Sequence, residues 1–339
     1  MVDEQVRHWE RLCELIWGVA IGQAIHVFVE LGLPELLDAG PKSSDQLAAA
    51  TGTDSWTLET ILRALVAFDV LTINAAQQYS LEQMGRLLLR SAPGPSAGEA
   101  GEFFETIYRP LGALTHMVRT GDVAFDQVYG QRFYDYLSEQ PRIARHFYDT
   151  MADNAGQRYA GLSSVCDLSN SACIIDVGGG DGSLLIQILR EYPETRGITF
   201  DLPVVYGRAT QKIRAAGLFE RCEVVSGDFL QSVPVGGDVY ILAQILNNWR
   251  AEEAQRILAN CRRAMNSTAR LLVLEPIYGV SPLSRWQALV SLGVMTQRGG
   301  RTRSENQLNA LLSAESFEVT RILRLPASTT CAIEAKPAG

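Results

Sequence analysis

Asp176-Val177-Gly178-Gly179-Gly180-Asp181-Gly182 follows the apolar run Cys173-Ile174-Ile175 and leads into the amphipathic stretch Ser183 to Tyr192. A strand that ends on a carboxylate and turns through glycines into a helix lets the backbone come close to a nucleotide-like ligand. The dinucleotide pattern Gly-x-Gly-x-x-Gly is not kept, because its sixth position is Ser183. The spacing present, Asp-x-Gly-x-Gly-x-Gly, favours S-adenosyl-L-methionine. That molecule has no pyrophosphate to rest on a helix N-terminus; it has a sulfonium and an amino acid end, which suit an acid and backbone groups.

On either side of this turn, short apolar runs alternate with amphipathic ones from Ala172 onward, the pattern of a parallel sheet covered on both faces. Strands are expected at Cys173–Asp176, Gly197–Asp201, Glu223–Val225, Val239–Leu242 and Leu271–Glu275. Ser183 to Tyr192 and Ala251 to Met265 read as crossover helices. Val319–Leu325 and Thr329–Ala335 flank a short turn, which makes the last strand antiparallel. The fold class is α/β, a doubly wound sheet.

Two further acids sit where such a sheet binds its ligands, at the carboxyl ends of successive strands. Asp201 ends the second strand, where a carboxylate can accept both ribose hydroxyls, and Leu202 follows it. Gly227-Asp228-Phe229 follows the third, where Asp228 can accept from an adenine amino group and Phe229 can cover the ring. Together with Asp176, Gly178 and Gly180 they outline a cofactor site.

The first hundred residues are helical with one small β element. Ser43 to Gln46 can cap a helix running to Thr51, and Gly52 ends it. A second helix from near Asp54 carries Leu58, Ile61, Leu62, Leu65 and Val66 on one face. Val70–Ile73, a polar turn at Asn74–Gln78 and Tyr79–Leu81 complete a winged-helix-like pattern. Its would-be recognition helix offers Asp54, Glu59 and one basic residue, Arg63, and the chain of 339 residues carries a formal charge of −8. Phosphates would be repelled, so no nucleic acid partner is expected. The acidic start Met1-Val2-Asp3-Glu4-Gln5 lacks a signal pattern, and no apolar run reaches the roughly 18 residues of a membrane span; the expected location is the cytoplasm. Six cysteines without a Cys-x-x-Cys pair and four histidines give no metal site. Ser91 to Gly98, small and helix-breaking, reads as a linker. The expected domains are therefore 1–98, a helical connector at 99–161, and a cofactor domain at 162–339.

With these residues in place, the chain resembles the S-adenosylmethionine-dependent small-molecule O-methyltransferases, the group of plant caffeate-type and bacterial antibiotic-pathway enzymes. The resemblance covers nearly the whole chain, through Leu31-Gly32-Leu33-Pro34-Glu35-Leu36-Leu37, Gln131-Arg132-Phe133-Tyr134-Asp135-Tyr136-Leu137, the glycine turn, Gly227-Asp228-Phe229, Leu274-Glu275-Pro276 and Gly299-Gly300-Arg301-Thr302. Ala64-Leu65-Val66-Ala67-Phe68 and Asn260-Cys261-Arg262-Arg263-Ala264-Met265 bring it nearest to phenazine methyltransferases. The resemblance implies a Rossmann-like class I methyltransferase domain with a mostly parallel seven-stranded sheet, and an N-terminal winged-helix-like dimerisation domain. It also implies a homodimer, S-adenosyl-L-methionine as cofactor, and a small aromatic acceptor covered by the connector.

The departures from that family carry the chemistry. Its members usually have Leu-His-Asp-Trp after the fourth strand, with the His as general base; here the stretch is Leu246-Asn247-Asn248-Trp249. A carboxamide can orient an acceptor but cannot deprotonate it. The glutamate that braces the His aligns with Thr302, and a frequent cofactor contact aligns with Ala243. Glu275 remains as a possible base, and His116 or His146 would serve if either faced the pocket. Asn247 and Glu275 are the catalytic candidates; Met151, Asn248, Trp286, Met295 and Gln297 align with acceptor-lining positions. A phenol of pKa near 10 is only about 0.1% ionised at pH 7, a handicap of roughly 4 kcal/mol. The expected reaction is therefore methyl transfer, to oxygen first, by proximity on a planar aromatic or heteroaromatic natural product. The alternatives are N- or C-methylation of an already nucleophilic acceptor, or a non-methylating cyclase, pericyclase or hydroxylase that keeps the cofactor as a structural cation.

Overall fold

A computed structural model describes residues 2–92, 104–153, 155–280, 284–326 and 328–338. Most of the expected linker, from 93 to 98, lies outside the described residues. The chain divides into two compact units, Met1–Tyr108 and Arg109–Gly339.

The first unit contains α1 (Val2–Glu30), α2 (Leu33–Asp38), α3 (Ser44–Thr51) and α4 (Ser55–Ala67), then the hairpin β1 (Leu71–Ile73) and β2 (Tyr79–Leu81). Ser43 caps α3 through a reciprocal box with Gln46, and the Asp54 side chain accepts from the Thr57 N–H to open α4. The 3-4 spacing along α4 turns Leu58, Leu62 and Leu65 into a core with Phe28, Leu33, Leu47 and Tyr79, each buried leucine contributing about 1.5–3 kcal/mol. Glu59 and Arg63 stay outside and pair with each other at 2.6 Å. In the hairpin turn the Asn74 carboxamide oxygen accepts from the N–H groups of Ala76 and Gln78, closing it without a glycine.

Helix α1 departs from expectation. Between Glu4 and Glu30 it is, by length and composition alone, apolar enough to cross a membrane, with a mean hydropathy of 1.7 and 6% of the window buried. Scattered charges mask this in the sequence. The exposed side chains include Trp9 (66%) and Trp17 (70%), with Leu12, Leu15 and Ile16 beside them.

The second unit opens with short helices between Arg109 and Val165, among them α5 (Pro141–Asp153). Edge-to-face contacts of Phe125, Phe133, Tyr136 and Phe147 hold these together. The chain then alternates β3 (Cys173–Val177), α6 (Ser183–Glu191), β4 (Arg196–Asp201), α7 (Pro203–Ala215), β5 (Cys222–Ser226), β6 (Val239–Ala243), α8 (Ala251–Ala264) and β7 (Arg270–Pro276). It ends with α9 (Arg285–Arg298), α10 (Glu305–Ala314), β8 (Phe317–Arg324) and β9 (Thr330–Pro337). The seven strands lie in the order β5-β4-β3-β6-β7-β9-β8, parallel except that β9 runs against both β7 and β8. Successive residues serve opposite cores: Ile175, Tyr240 and Val273 pack on one face, Ile174, Ile241 and Leu272 on the other. Both faces are covered, so the strands are apolar throughout. After β3 the chain builds outward to β5 and then returns to place β6 on the other flank of β3. That reversal opens a crevice at the carboxyl ends of β3 and β6.

Candidate active site

The crevice holds a cavity of about 490 Å³. At one end is the glycine turn. Gly178 and Gly180 have φ of 76° and 57°. A Cβ on Gly178 would lie 2.3 Å from Ile245 Cδ1, and one on Gly179 would lie 2.4 Å from Thr199 Oγ1. The turn therefore needs glycine for conformation and for room. The Asp201 carboxylate fixes its shape, accepting from the Gly180 N–H at 2.8 Å and from the Leu202 N–H at 2.7 Å.

Electrostatically this end is built for a cation. Asp176 is 1% exposed and its Oδ1 has no partner among the described residues. Burial, then the nearby charges of Asp201 and Asp181, push its pKa up to about 7. Burial also raises Asp201, against the two N–H groups that favour its ionised form. Asp181 is already neutralised by Lys212 Nζ at 2.6 Å. Asp176, buried and with Oδ1 unpartnered among the described residues, matches the cationic end of such a cofactor, while half-buried Asp201 keeps its two backbone N–H groups. Further along the wall, Asp228 takes the Leu230 N–H at 2.8 Å, and the Phe229 ring stands edge-on to Trp249 at 5.8 Å.

The opposite wall is aromatic. Phe133, Tyr134, Phe147, Tyr148 and Trp249 line it, with Tyr134 stacked on Trp249 at 5.6 Å and 21°. Burial, and the neighbouring Asp201 charge, raise the Tyr148 phenol, which stays a donor at neutral pH.

Of the residues singled out in the sequence, Asp176, Gly178, Gly180, Asp201, Leu202, Asp228, Phe229, Ala243, Met151, Asn248 and Gln297 line this one cavity. Gly227, Asn247, Glu275, Trp286 and Met295 do not, each for a physical reason. Gly227 serves packing, since a Cβ there would sit 2.4 Å from Phe200 Cε2. Trp286, in the first turn of α9, is 60% exposed, and Met295 is half-buried off the wall. Asn247 and Glu275 are turned into the protein. The Asn247 N–H donates to Glu275 Oε1 at 2.9 Å, and its Nδ2 donates to Gln244 Oε1 at 2.9 Å. Glu275 is 1% exposed, and burial pushes its pKa up to about 7, opposed by the Asn247 N–H and the nearby Arg303 guanidinium. Arg303 itself donates to the carbonyls of Leu246 at 2.6 Å and Trp249 at 2.8 Å. A Cβ on Gly300 would be 2.2 Å from the Asn247 carbonyl oxygen. Glu275, Arg303 and Gly300 thus brace the 246–249 turn from behind. Thr302, at the position of the family's bracing glutamate, instead shares a hydrogen bond with Ser291 at 3.1 Å.

Beside Asn248 and Trp249, the residue just ahead of this turn, Gln244, also lines the cavity, and sequence reasoning missed it. It has the left-handed φ of 57° without being glycine, held by its N–H to the Leu274 carbonyl at 2.9 Å and by Asn248 Nδ2 on its own carbonyl at 2.6 Å. Neither histidine considered as a base lines the wall: His116 pairs with Asp122 at 3.4 Å beside a separate hollow, and His146 is half-buried elsewhere. Chemically the cavity can bind a cationic nucleoside at one end and a flat ring at the other, and none of these candidate bases touches it.

Known proteins resemble this chain over nearly all of its length. Residues 111–318 match the family model of the O-methyltransferase domain, and residues 13–91 match that of the O-methyltransferase dimerisation domain. A phenazine O-methyltransferase of Lysobacter antibioticus is 33% identical, over 96% of this chain and 95% of its own. The solved structure of a mitomycin 7-O-methyltransferase superimposes with a TM-score of 0.92 at 32% identity, covering 100% of both chains. An O-methyltransferase from neocarzinostatin biosynthesis, solved with S-adenosylmethionine and 2-hydroxy-5-methyl naphthoic acid, superimposes with a TM-score of 0.82 at 26% identity, covering 93% of this chain and 95% of its own.

Proposed function

The chain belongs to the O-methyltransferase family, S-adenosyl-L-methionine-dependent enzymes with a dimerisation domain, and from that premise we propose that it methylates a planar aromatic or heteroaromatic natural product mainly by positioning it. The observation that carries this reading is the one cavity joining the strand-end acids Asp176, Asp201 and Asp228 to the Tyr134–Trp249 stack. The cofactor's cationic end sits against Asp176, its ribose hydroxyls meet Asp201, and its adenine lies along Asp228 and Phe229. When bound, the cofactor supplies an electrophilic methyl group. The protein's own residues then hold the acceptor: the Tyr134–Trp249 stack supports its plane from one side, and Gln244 and Asn248 orient its polar edge. Asn247 acts one step back, through Gln244, and Glu275 sets the turn rather than taking a proton. In-line placement supplies much of the rate, as effective-molarity arguments allow. Such a site works best on an acceptor that is already nucleophilic, either an acidified hydroxyl or a ring nitrogen.

The exposed apolar face of α1 belongs to the homodimer contact rather than to a membrane, and the enzyme works in the cytoplasm without a nucleic acid partner. The test is incubation with methyl-labelled S-adenosylmethionine and a panel of hydroxylated phenazines, naphthoates and quinones, with products resolved by mass spectrometry. Equal yields of methylated product and S-adenosylhomocysteine support the reading. Conversion of an acceptor while no S-adenosylhomocysteine forms replaces it with the non-methylating alternative.

A further inference from the structure

Arg298 closes α9 immediately before Gly299, and its side chain lies in the wall of the acceptor cavity. A cation in the last turn of a helix is ordinarily explained by the helix dipole. Here the guanidinium points elsewhere. It lies 5.2 Å from the Phe133 ring centre and 5.5 Å from that of Phe147. Among the described residues its hydrogen bonds go to neutral oxygens, Tyr134 Oη at 3.4 Å and Gln297 Oε1 at 3.1 Å, and its buried Nε has no partner there. No carboxylate among the described residues forms an ion pair with it.

The other charges on the wall are accounted for differently. Arg132, Arg250 and Arg256 are exposed, so water solvates them. The acids Asp126, Asp135 and Glu253 share the wall, and the positive charges that bear on Asp126 are Arg132 and Arg250. Arg158 is half-buried and engages the Tyr159 hydroxyl. Arg298 is thus a guanidinium held between aromatic faces with no counter-ion of its own. Desolvating a cation is costly unless it is paired, and the planar guanidinium fork fits a carboxylate with two parallel hydrogen bonds.

We infer that the acceptor is an aromatic carboxylic acid and that Arg298 binds its carboxylate. This rests on the reading of the cavity as an acceptor site. The cavity then carries opposite fields: Asp176 and Asp201 repel a carboxylate, Arg298 attracts it, and the ring lies against the aromatic wall in one direction only. Binding energy at the carboxylate, remote from the reacting atom, is thereby used to orient it.

The test uses the full-length protein saturated with S-adenosylhomocysteine and two matched pairs of probes, 1-hydroxy-2-naphthoate with its carboxamide and phenazine-1-carboxylate with its carboxamide, titrated calorimetrically. At least one acid should bind about 10²-fold more tightly than its amide, the size expected for losing one partner of a buried charge pair. Arg298→Met should bring that acid down to its amide's affinity, Arg298→Lys should fall between, and S-adenosylhomocysteine affinity and melting temperature should hold in both. Equal binding of acid and amide by the wild type, no binding of either acid, or equal weakening of acid and amide in Arg298→Met overturns the inference. Label transfer from S-adenosylmethionine is followed in parallel. Acid-selective binding without transfer removes the proposed methylation and leaves the carboxylate site, whereas transfer to amide as readily as to acid removes the carboxylate site alone.

Discussion

Changing the pH around neutrality perturbs the cofactor end of the cavity at one identifiable atom pair. Asp176 is buried, its Oδ1 is unpartnered, and its pKa is raised to about 7. The cofactor brings an ammonium of ordinary pKa about 7.7–8.0 and, in the methyl donor, a permanent sulfonium. Holding these requires Asp176 ionised. At pH 5.5 only about 3% of a group of pKa 7 is ionised, a handicap of about 2 kcal/mol, or roughly 30-fold in affinity. At pH 7 the group is half-protonated, so binding should release about half a proton. Calorimetric titration with S-adenosylmethionine at pH 5.5, 6.5 and 7.5, in two buffers of different ionisation enthalpy, measures both quantities. Asp176→Asn should bind weakly at every pH and lose most of the acid limb; Asp201, also raised by burial, steepens that limb in the wild type. An affinity flat between pH 5.5 and 7.5, or an Asp176→Asn variant that keeps the wild-type limb, would refute the assignment of the cation to Asp176.

Three other outcomes follow from the turn behind the cavity. The folded-state pKa of Glu275 lies above its unfolded value, so its contribution to stability is complete below about 4.5 and is lost as pH rises through about 7. That loss is on the order of 3 kcal/mol; Glu275→Gln should melt with a visibly shallower decline between pH 5 and 8, and identical slopes would contradict it. Gly300→Ala drives a Cβ against the Asn247 carbonyl and should cost about 2–3 kcal/mol in denaturant unfolding; a change under about 0.5 kcal/mol would mean the turn yields freely. Asn247→Ala, off the wall, should lower kcat by less than about 10²-fold, while Gln244→Ala raises KM more; a loss above about 10⁴-fold for Asn247→Ala would restore it as a catalytic group.

The strands, the hairpins and the acids at the strand ends were legible because periodicity and spacing encode them directly. Asp176, Asp201 and Asp228 meet in one cavity for the reason that made them readable, namely that parallel strands end on one edge. The acceptor half was less legible. Alignment placed Asn247 where a base would stand, but a side chain's direction depends on its neighbours: Glu275 fixes the Asn247 backbone N–H, and Gln244 takes its carboxamide. The left-handed backbone of Gln244 leaves no trace in residue type. Trp286, chosen because it aligns with an acceptor-lining position, is exposed off the cavity wall, since one position along a helix rotates a side chain by about 100°. Arg298 gives no signal in the sequence, because a cation ending a helix has an ordinary explanation; only its lack of a carboxylate partner among the described residues sets it apart.

The carboxylate of Asp201, clasping the N–H of Gly180 and its own following N–H, has a kinetic consequence. The loop that meets the cofactor is tied into shape by the chain itself and does not wait for a guest to shape it. Association should then be a single encounter step, first order in cofactor concentration with no plateau in a stopped-flow trace, and exchange of product for fresh cofactor should be governed by how quickly the spent one leaves.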